Sequence, residues 1–467
     1  MKTLFICLYT GAAVSKFIGK GRGMELLCAE VQKDSNLKVV ILTGEGFRGI
    51  FEEFLIRDRI LLETIVMHVP KGFIQKAFHF FYAYLIFTGT TEILATIGAR
   101  ADITPAGGNK HLAFLKRFIA RTFGRFAWVK VTLVPFLYNL IFRMRPYKKI
   151  FEHYRPDLVF VSALAFRPDV EVVAEARRQK IKTIGMTPNW DHLNKYYIPI
   201  HVDMLLVQNR PMEREALVYH AYRIENVKLV GFPQFDIYNE RGKYIIPRDI
   251  YFKEMGLPLD AKLIVYFSNS AFTLDEGDIL NEIAGWIRDG KFKQKVHLLV
   301  RPYVSAREIV IEEKKYEKLQ GNPYITFNWR KTGGETGVDE NHLRYFISML
   351  HYADVVISLF STTALEAAIF NKPTLTFGFD GYKKYPPEKS ITRLEKLTYF
   401  KNVIDTGGVL IVRSFDEMHE KLQEYLNDPT LDADKRSLLV EKLCYKMDGR
   451  SSERIIHSIL SQLRHGR

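Results

Sequence analysis

Ile357-Ser-Leu-Phe-Ser-Thr-Thr-Ala-Leu-Glu-Ala-Ala-Ile-Phe-Asn-Lys-Pro373 reads as a buried strand ending at Ser358, a hydroxyl-rich turn, and an apolar helix closed by Lys372-Pro373. Hydroxyls and unpaired backbone N–H groups at a helix start form an anion site. Ser358, Ser361, Thr362 and Thr363 are therefore candidate ligands for a diphosphate, held without a metal. Glu366, one turn further in, is placed to reach a ribose hydroxyl. An ordinary Ser/Thr helix cap leaves the same local signature, so the run has to be read with its surroundings.

Upstream and downstream of this run, short apolar segments alternate with helical patterns, the signature of a parallel α/β sheet. Leu263-Ile-Val-Tyr-Phe267 ends in Ser268-Asn-Ser270, and Val296-His-Leu-Leu-Val300 runs into Arg301-Pro302. Segments 325–327, 374–377 and 409–412 complete the series. An earlier series comprises 38–42, 158–162, 182–185, 204–208 and 227–230. The opening Met1-Lys-Thr-Leu-Phe-Ile-Cys-Leu-Tyr9 reads as a first strand, followed by a loop bearing Gly11, Gly19, Gly21 and Gly23 and a helix from Met24 to Val31. The competing reading of that start is a signal peptide.

At 467 residues the chain is long enough for two domains. The predicted boundary follows Gly231-Phe-Pro-Gln-Phe-Asp236. This gives a Rossmann-like domain over 1–236 and a second α/β domain over 237–448. A C-terminal helix, 449–467, is placed to cross back to the first. Ligands of open α/β sheets bind beyond the carboxyl ends of the strands, so the two sheets are expected to face a central cleft. Ser268 and Ser270 end the first strand of the second domain and become donor-site candidates. Arg301 is another, because its planar fork of donors suits phosphate.

Cys7, Cys28 and Cys444 are too far apart in sequence for a CxxC pair and form no metal set, which fits a reducing compartment. The only Asp-x-Asp, Asp432-Ala-Asp434, reads as a helix start, and no metal is expected. The formal net charge is +14. Between Ala101 and Ile150 ten cations (Lys110, Lys116, Arg117, Arg121, Arg125, Lys130, Arg143, Arg145, Lys148, Lys149) stand against Asp102 alone. Phe114, Phe118, Phe123, Phe126, Trp128, Phe136, Tyr138 and Phe142 are interleaved with them. Cations among large rings suit an anionic membrane surface. Nucleic acid would attract the same cations, but no nucleic-acid motif accompanies them. A solvated basic helix face remains the plain alternative. Residues 77–98 carry a Thr-Gly-Thr-Thr turn and His79, and read as buried or interfacial helices rather than a span.

The pattern Ser358-x-x-Ser-Thr-Thr-x-x-Glu366-Ala-x-x-x-x-Lys-Pro373 resembles the donor site of GT-B transferases. It is most similar to bacterial surface-carbohydrate and capsule transferases and their relatives, the teichoic-acid CDP-glycerol glycerophosphotransferases. Gly231-Phe-Pro-Gln-Phe-Asp236, Val300-Arg-Pro302 and Phe379-Asp380-Gly-Tyr382 match further family segments in order, and the last adds Asp380 to the donor candidates. The resemblance covers roughly residues 155–379. It implies a metal-independent enzyme of the GT-B fold, without a cofactor, that takes a sugar from a nucleotide-activated donor. The expected acceptor is a lipid-linked or growing surface glycan, and the expected location is cytoplasmic, peripheral on the inner face of the cell membrane. One segment departs from the glycerophosphotransferases. Where they carry His-Gly-Thr-Pro, this chain has Thr187-Pro-Asn-Trp-Asp-His192. The departure favours sugar transfer and makes Asp191, ahead of His192, the expected base, with Glu45 in reserve. The rival readings are phosphoglycerol transfer, nucleotide-sugar epimerisation, and a non-catalytic assembly protein of the same fold.

Overall fold

A computed structural model describes residues 1–19, 21–94, 112–268, 275–303, 313–329 and 340–465. Ser270, Lys20 and residues 101–111 of the basic segment lie outside them. The chain divides into two compact units. The first comprises Met1–Thr91, Leu112–Asn239 and Tyr445–Arg467; the second comprises Glu92–His111 and Glu240–Cys444.

The first unit is built on a seven-stranded sheet with order β3-β2-β1-β4-β5-β6-β7. Its strands are β1 (Lys2–Leu8), β2 (Leu37–Thr43), β3 (Ile60–Thr64), β4 (Leu158–Val161), β5 (Lys182–Met186), β6 (Met204–Val207) and β7 (Val227–Leu229). Every pairing is parallel, for instance Phe5 against Val40 on one side and Val159 on the other. Buried on both faces, the central strands are near-continuous apolar runs, and Leu4, Phe5, Ile6, Val159 and Phe160 are inaccessible to solvent. Gly11 opens a helix, Gly11–Phe17, rather than the expected glycine loop, with Thr10 capping it through Ala13 N–H at 3.2 Å. Helix Gly23–Lys33 follows. The edge strand β3 was not expected from sequence: Ile-Leu-Leu-Glu-Thr is short and has one buried residue.

The second unit carries a six-stranded parallel sheet, order β10-β9-β8-β11-β12-β13. The strands are β8 (Lys262–Phe267), β9 (Val296–Arg301), β10 (Ile325–Phe327), β11 (Ala353–Ser358), β12 (Thr374–Phe377) and β13 (Leu410–Val412). Both units thus have the doubly wound arrangement, with strand order reversing between β1 and β4 and between β8 and β11.

The last helix, Ser451–His465, belongs to the first unit. Both carboxylate oxygens of Asp236 accept from its start, Oδ1 from Ser451 N–H at 2.9 Å and Oδ2 from Ser452 N–H at 2.7 Å. Gly231 has φ +88°, and a Cβ there would stand 2.6 Å from Ser451 Oγ. At the other end Lys2 Nζ donates to the carbonyls of Leu463 (2.8 Å) and Arg464 (3.0 Å), a cation on the negative pole of the helix. The Gly-x-Pro-x-x-Asp run is therefore a clasp on the C-terminal helix.

The cations of the aromatic segment are not all at the surface. Lys116 is fully buried with its ammonium 4.9 Å from the Tyr84 ring, and Lys130 is buried 5.9 Å from the Tyr197 ring. Phe114, Phe118, Phe126, Trp128 and Phe136 face solvent instead, Phe114 at 80% exposure. The turn within this segment packs closely on the preceding one: a Cβ on Gly124 would lie 2.1 Å from the Leu85 carbonyl oxygen. Among the described residues no helix is long and apolar enough to cross a membrane.

Replacing Asp236 by Ala removes two charge-assisted bonds to backbone N–H and is expected to cost about 1–3 kcal/mol. Asp236→Asn should retain part of this. Chemical denaturation of the two variants beside the parent checks both expectations.

Candidate functional site

In the second unit, β11 ends at Ser358, and the chain turns through Phe360 at φ +44°. A non-glycine residue held left-handed stores strain of the kind found at functional turns. Burial of the Phe360 ring, 4.8 Å from Phe400, holds it there. Helix Thr363–Ile369 follows, with Glu366 in its first turn. Ser358 Oγ and Ser361 Oγ lie 2.9 Å apart, and Ser361 Oγ also accepts from Thr363 N–H at 3.3 Å. Ala364 and Leu365 N–H close onto the carbonyls of Ser361 and Thr362. The helix start is thus partly satisfied from within, unlike the open row of N–H groups expected from sequence. The half-exposed hydroxyls of Ser361, Thr362 and Thr363 are its accessible polar groups. Asn371 at φ +52°, whose side chain accepts from Arg436 Nε at 2.8 Å, stops the helix.

Arg301 ends β9 and is 8% exposed. Burial lowers its pKa to about 10, with Tyr251 and Glu366 acting the other way. Its Nη2 lies 3.1 Å from His342 Nε2. A guanidinium can only donate, so this nitrogen of His342 accepts and the ring proton sits on Nδ1. The Phe346 ring centroid is 5.5 Å from the guanidinium carbon. Among the described residues no carboxylate comes within ion-pairing distance of Arg301. A buried cation served by an imidazole and a ring retains donors for an oxyanion.

Two other sequence candidates are engaged elsewhere. Ser268 Oγ bonds Glu276 Oε2 (2.9 Å) and the Tyr316 hydroxyl (2.5 Å). Glu276 is fully buried and also receives Tyr266 (2.8 Å), Tyr316 (2.7 Å) and Lys315. Ser268 is therefore part of an internal network. Asp380 accepts from Ile391 N–H at 2.7 Å and faces the buried Arg393, which pins the loop after β12.

In the first unit, ionisable groups gather beyond the carboxyl ends of β1, β4 and β5, neighbours at the strand-order reversal. Lys16, from the helix after β1, is 3% exposed and donates to the carbonyls of Thr187 (3.0 Å) and Pro188. Burial lowers its pKa to about 7 against the pull of Asp191 and Asp169. Asp169, from the helix after β4, accepts from Ala163 N–H at 2.8 Å and faces Cys7 Sγ at 3.7 Å. Burial raises its pKa to about 7.

Asp191 lies in the loop after β5, 2.6 Å from Lys195 Nζ and 2.9 Å from His192 Nδ1. Burial works to raise its pKa, but Lys195 and His192 outweigh it and hold the carboxyl well below the usual range. The contact with His192 is electrostatic: Asp191 Oδ1 and His192 Nδ1 have no aligned hydrogen-bond partner. Burial lowers the His192 pKa although Asp191 opposes it, so the imidazole is neutral at pH 7. Sequence reasoning missed Lys16, Asp169 and Glu215, which are brought to this loop from distant helices. Glu215 is 6% exposed and accepts from Asn194 Nδ2 at 2.9 Å. Burial raises its pKa to about 8. Glu45, the reserve base, is exposed after β2.

Residues 338–461 match the sequence profile described as CDP-Glycerol:Poly(glycerophosphate) glycerophosphotransferase. No curated protein matches the chain by sequence. Among solved structures, the chain is similar to a glycosyltransferase from Rickettsia africae ESF-5, at 11% identity and TM-score 0.51 over 98% of each chain. It is also similar to MnaA of S. aureus in complex with UDP, at 12% identity and TM-score 0.54 over 99% of this chain and 97% of that one. A third is the UDP-GlcNAc 2-epimerase of Neisseria meningitidis bound to UDP-GlcNAc, at 11% identity and TM-score 0.53 over 99% and 100%. These likenesses identify the fold as GT-B: two parallel-sheet α/β domains.

Glu215 gives this cluster a signature in stability. With its folded pKa above the unfolded value, the folded state binds the extra proton, and stability is lost as pH rises from about 4.5 towards 8. Glu215→Gln keeps an acceptor for Asn194 and removes that loss. The variant's stability advantage should be small at pH 5 and grow by pH 8, towards about 5 kcal/mol at full ionisation. Thermal scans across that range measure it.

Proposed function

We propose that the chain is a transferase that moves a sugar from a nucleoside-diphosphate-activated donor to a hydroxyl of a lipid-linked or growing cell-surface glycan. The single observation that supports it most is Arg301, a buried guanidinium at a strand end with donors to spare. In this reading the second unit holds the donor. Arg301 and the hydroxyls of Ser361, Thr362 and Thr363 meet the diphosphate, and Glu366 meets the ribose. Ser358 supports Ser361, while Ser268 and Asp380 position the surrounding loops. No metal or cofactor enters.

The first unit supplies the base. An effective general base has a pKa near the working pH. Asp191, held ionised chiefly by Lys195 with His192 beside it, is a weak proton acceptor, whereas neutral His192 is a competent one. His192 takes the proton of the attacking hydroxyl and Asp191 stabilises the imidazolium that forms, reversing the order expected from sequence. Transfer of a phosphoalcohol is the second reading, favoured by the family match across 338–461.

Released products separate the readings. Sugar transfer liberates a nucleoside diphosphate; phosphoalcohol transfer from a CDP-alcohol liberates CMP; an epimerase changes the donor without an acceptor. Mass spectrometry of donors incubated with lipid extracts distinguishes them, and unchanged donor throughout counts against an enzyme. Arg301→Ala should weaken donor binding about 10- to 100-fold. His192→Gln should lower turnover 10²–10⁴-fold with donor affinity intact. The acid limb of the parent pH–rate profile should fall below the ordinary histidine value, since His192 must lose its proton to act. A full loss in Asp191→Asn beside an active His192→Gln would restore the original order.

The surface of the first unit supports a place at the inner face of the cell membrane. Exposed Phe114, Phe118, Phe126, Trp128 and Phe136 stand among Arg117, Arg121 and Arg125. Flotation with anionic liposomes should capture the protein, and salt should weaken capture by screening. Equal binding to neutral liposomes, or none to either, overturns this placement.

A further inference from the structure

The first unit contains a cavity of about 1020 Å³ that neither proposed role uses. It lies where the segment leading into helix Phe73–Ala83 meets helix Val134–Ile141, the turn after it, and helix Arg167–Arg178. Met67, Val69, Ile74, Leu140, Ile141 and Met144 provide its apolar wall. Several are unusually open for such side chains: Ile74 is 69% exposed, Met144 65% and Leu140 49%. An apolar occupant would remove this surface from water, which is the main driving force for ligands in such cavities.

The charged groups are predominantly of one sign. Lys71, Arg143, Arg167 and Arg178 line the cavity, and Glu171 is its only acidic lining residue. Glu171 Oε1 accepts from Arg167 Nε at 2.9 Å, and Oε2 lies 3.9 Å from His68 Nδ1. Arg178 donates to the Phe142 carbonyl at 3.0 Å. Among the described residues neither Lys71 nor Arg143 has an acidic partner; Arg143 Nε reaches only the Leu140 carbonyl, at 3.1 Å. The Met, Val, Ile and Leu side chains of the apolar wall suit a hydrocarbon chain. Hydrocarbon walls with a cationic rim complement an amphiphile whose long chain ends in a phosphate.

We propose that this cavity binds the hydrocarbon chain of a lipid phosphate, with the phosphate at Arg143 and Lys71. The inference deepens the membrane-facing reading of the same unit and rests on it for the source of the lipid. Exposed Phe73 and Phe136 lie on two of the helices that line the cavity. The shared chemistry has two sources, a bilayer phospholipid or the lipid carrier of the acceptor glycan.

The full chain is titrated calorimetrically with farnesyl phosphate, farnesol, inorganic phosphate and dioctanoyl phosphatidylglycerol, each below its aggregation threshold. Farnesyl phosphate should bind saturably, at least about tenfold more tightly than farnesol or inorganic phosphate. Ile74→Asp and Leu140→Asp, both at exposed positions, should each weaken it by about tenfold or more without moving the unfolding midpoint. The double variant Lys71→Ala, Arg143→Ala should weaken farnesyl phosphate and leave farnesol unchanged. Equal binding of phosphatidylglycerol assigns the site to bilayer lipid; its failure beside a bound farnesyl phosphate assigns it to a single-chain carrier. No saturable binding, or undiminished binding by both Asp variants, overturns the proposal. Liposome flotation of the parent separates the two readings: failed flotation with retained farnesyl phosphate binding removes the membrane placement alone, and the reverse removes the cavity ligand alone.

Discussion

The bidentate grip of Asp236 on the C-terminal helix is the constraint around which the first unit closes. A helix start leaves backbone donors without partners, and a carboxylate satisfies two of them while matching the positive end of the dipole. Gly231 allows the two segments to approach, and Arg454 fastens the clasp by donating to the Val230 carbonyl at 2.8 Å. Lys2 then holds the far end of the same helix beside the first strand. Strand β1 and the helix Ser451–His465 are therefore tied within one unit, although more than two hundred residues of the other unit lie between Asp236 and Ser451 in sequence.

Burial of charge sets the chemistry of the first unit. Lys16 and Asp169 are removed from water beyond the sheet ends, and burial pushes the pKa of each to about 7 from opposite directions. Asp191 stays charged in similar surroundings because Lys195 and His192 surround it. A charge inside a protein persists where partners compensate its lost hydration and is suppressed where they do not. The same rule leaves His192 neutral. The local ranking of proton acceptors therefore depends on partner geometry more than on residue type.

The fold was legible because parallel strands covered on both faces must be apolar throughout. Residues 38–42, 158–162, 182–185 and 263–267 could not be read otherwise. The edge strand Ile60–Thr64 escaped because an edge needs less burial, and Glu63 breaks its apolar run. The strand–turn–helix at Ser358–Ile369 was legible from local spacing, as was the strand-end position of Arg301. Lys116 and Lys130 were misread as surface cations because composition cannot show which way a side chain turns. Ser268 was read from its place at a strand end, but its partners Glu276 and Tyr316 come from elsewhere in the chain. The lipid-sized cavity had no sequence signal, since three separated segments enclose it.

The discontinuity of the first unit has a consequence for biosynthesis. A ribosome delivers the chain from its amino end, and domains generally fold as they emerge. Every segment of the second unit has been synthesised once residue 444 is added. The first unit, though begun earlier, must wait for the helix Ser451–His465, which is synthesised after all of the second unit. Until that helix emerges, Asp236 lacks its partner and the surface of helix Gly23–Lys33 and β4 that the helix packs against is uncovered. The unit begun first is thus the one completed later.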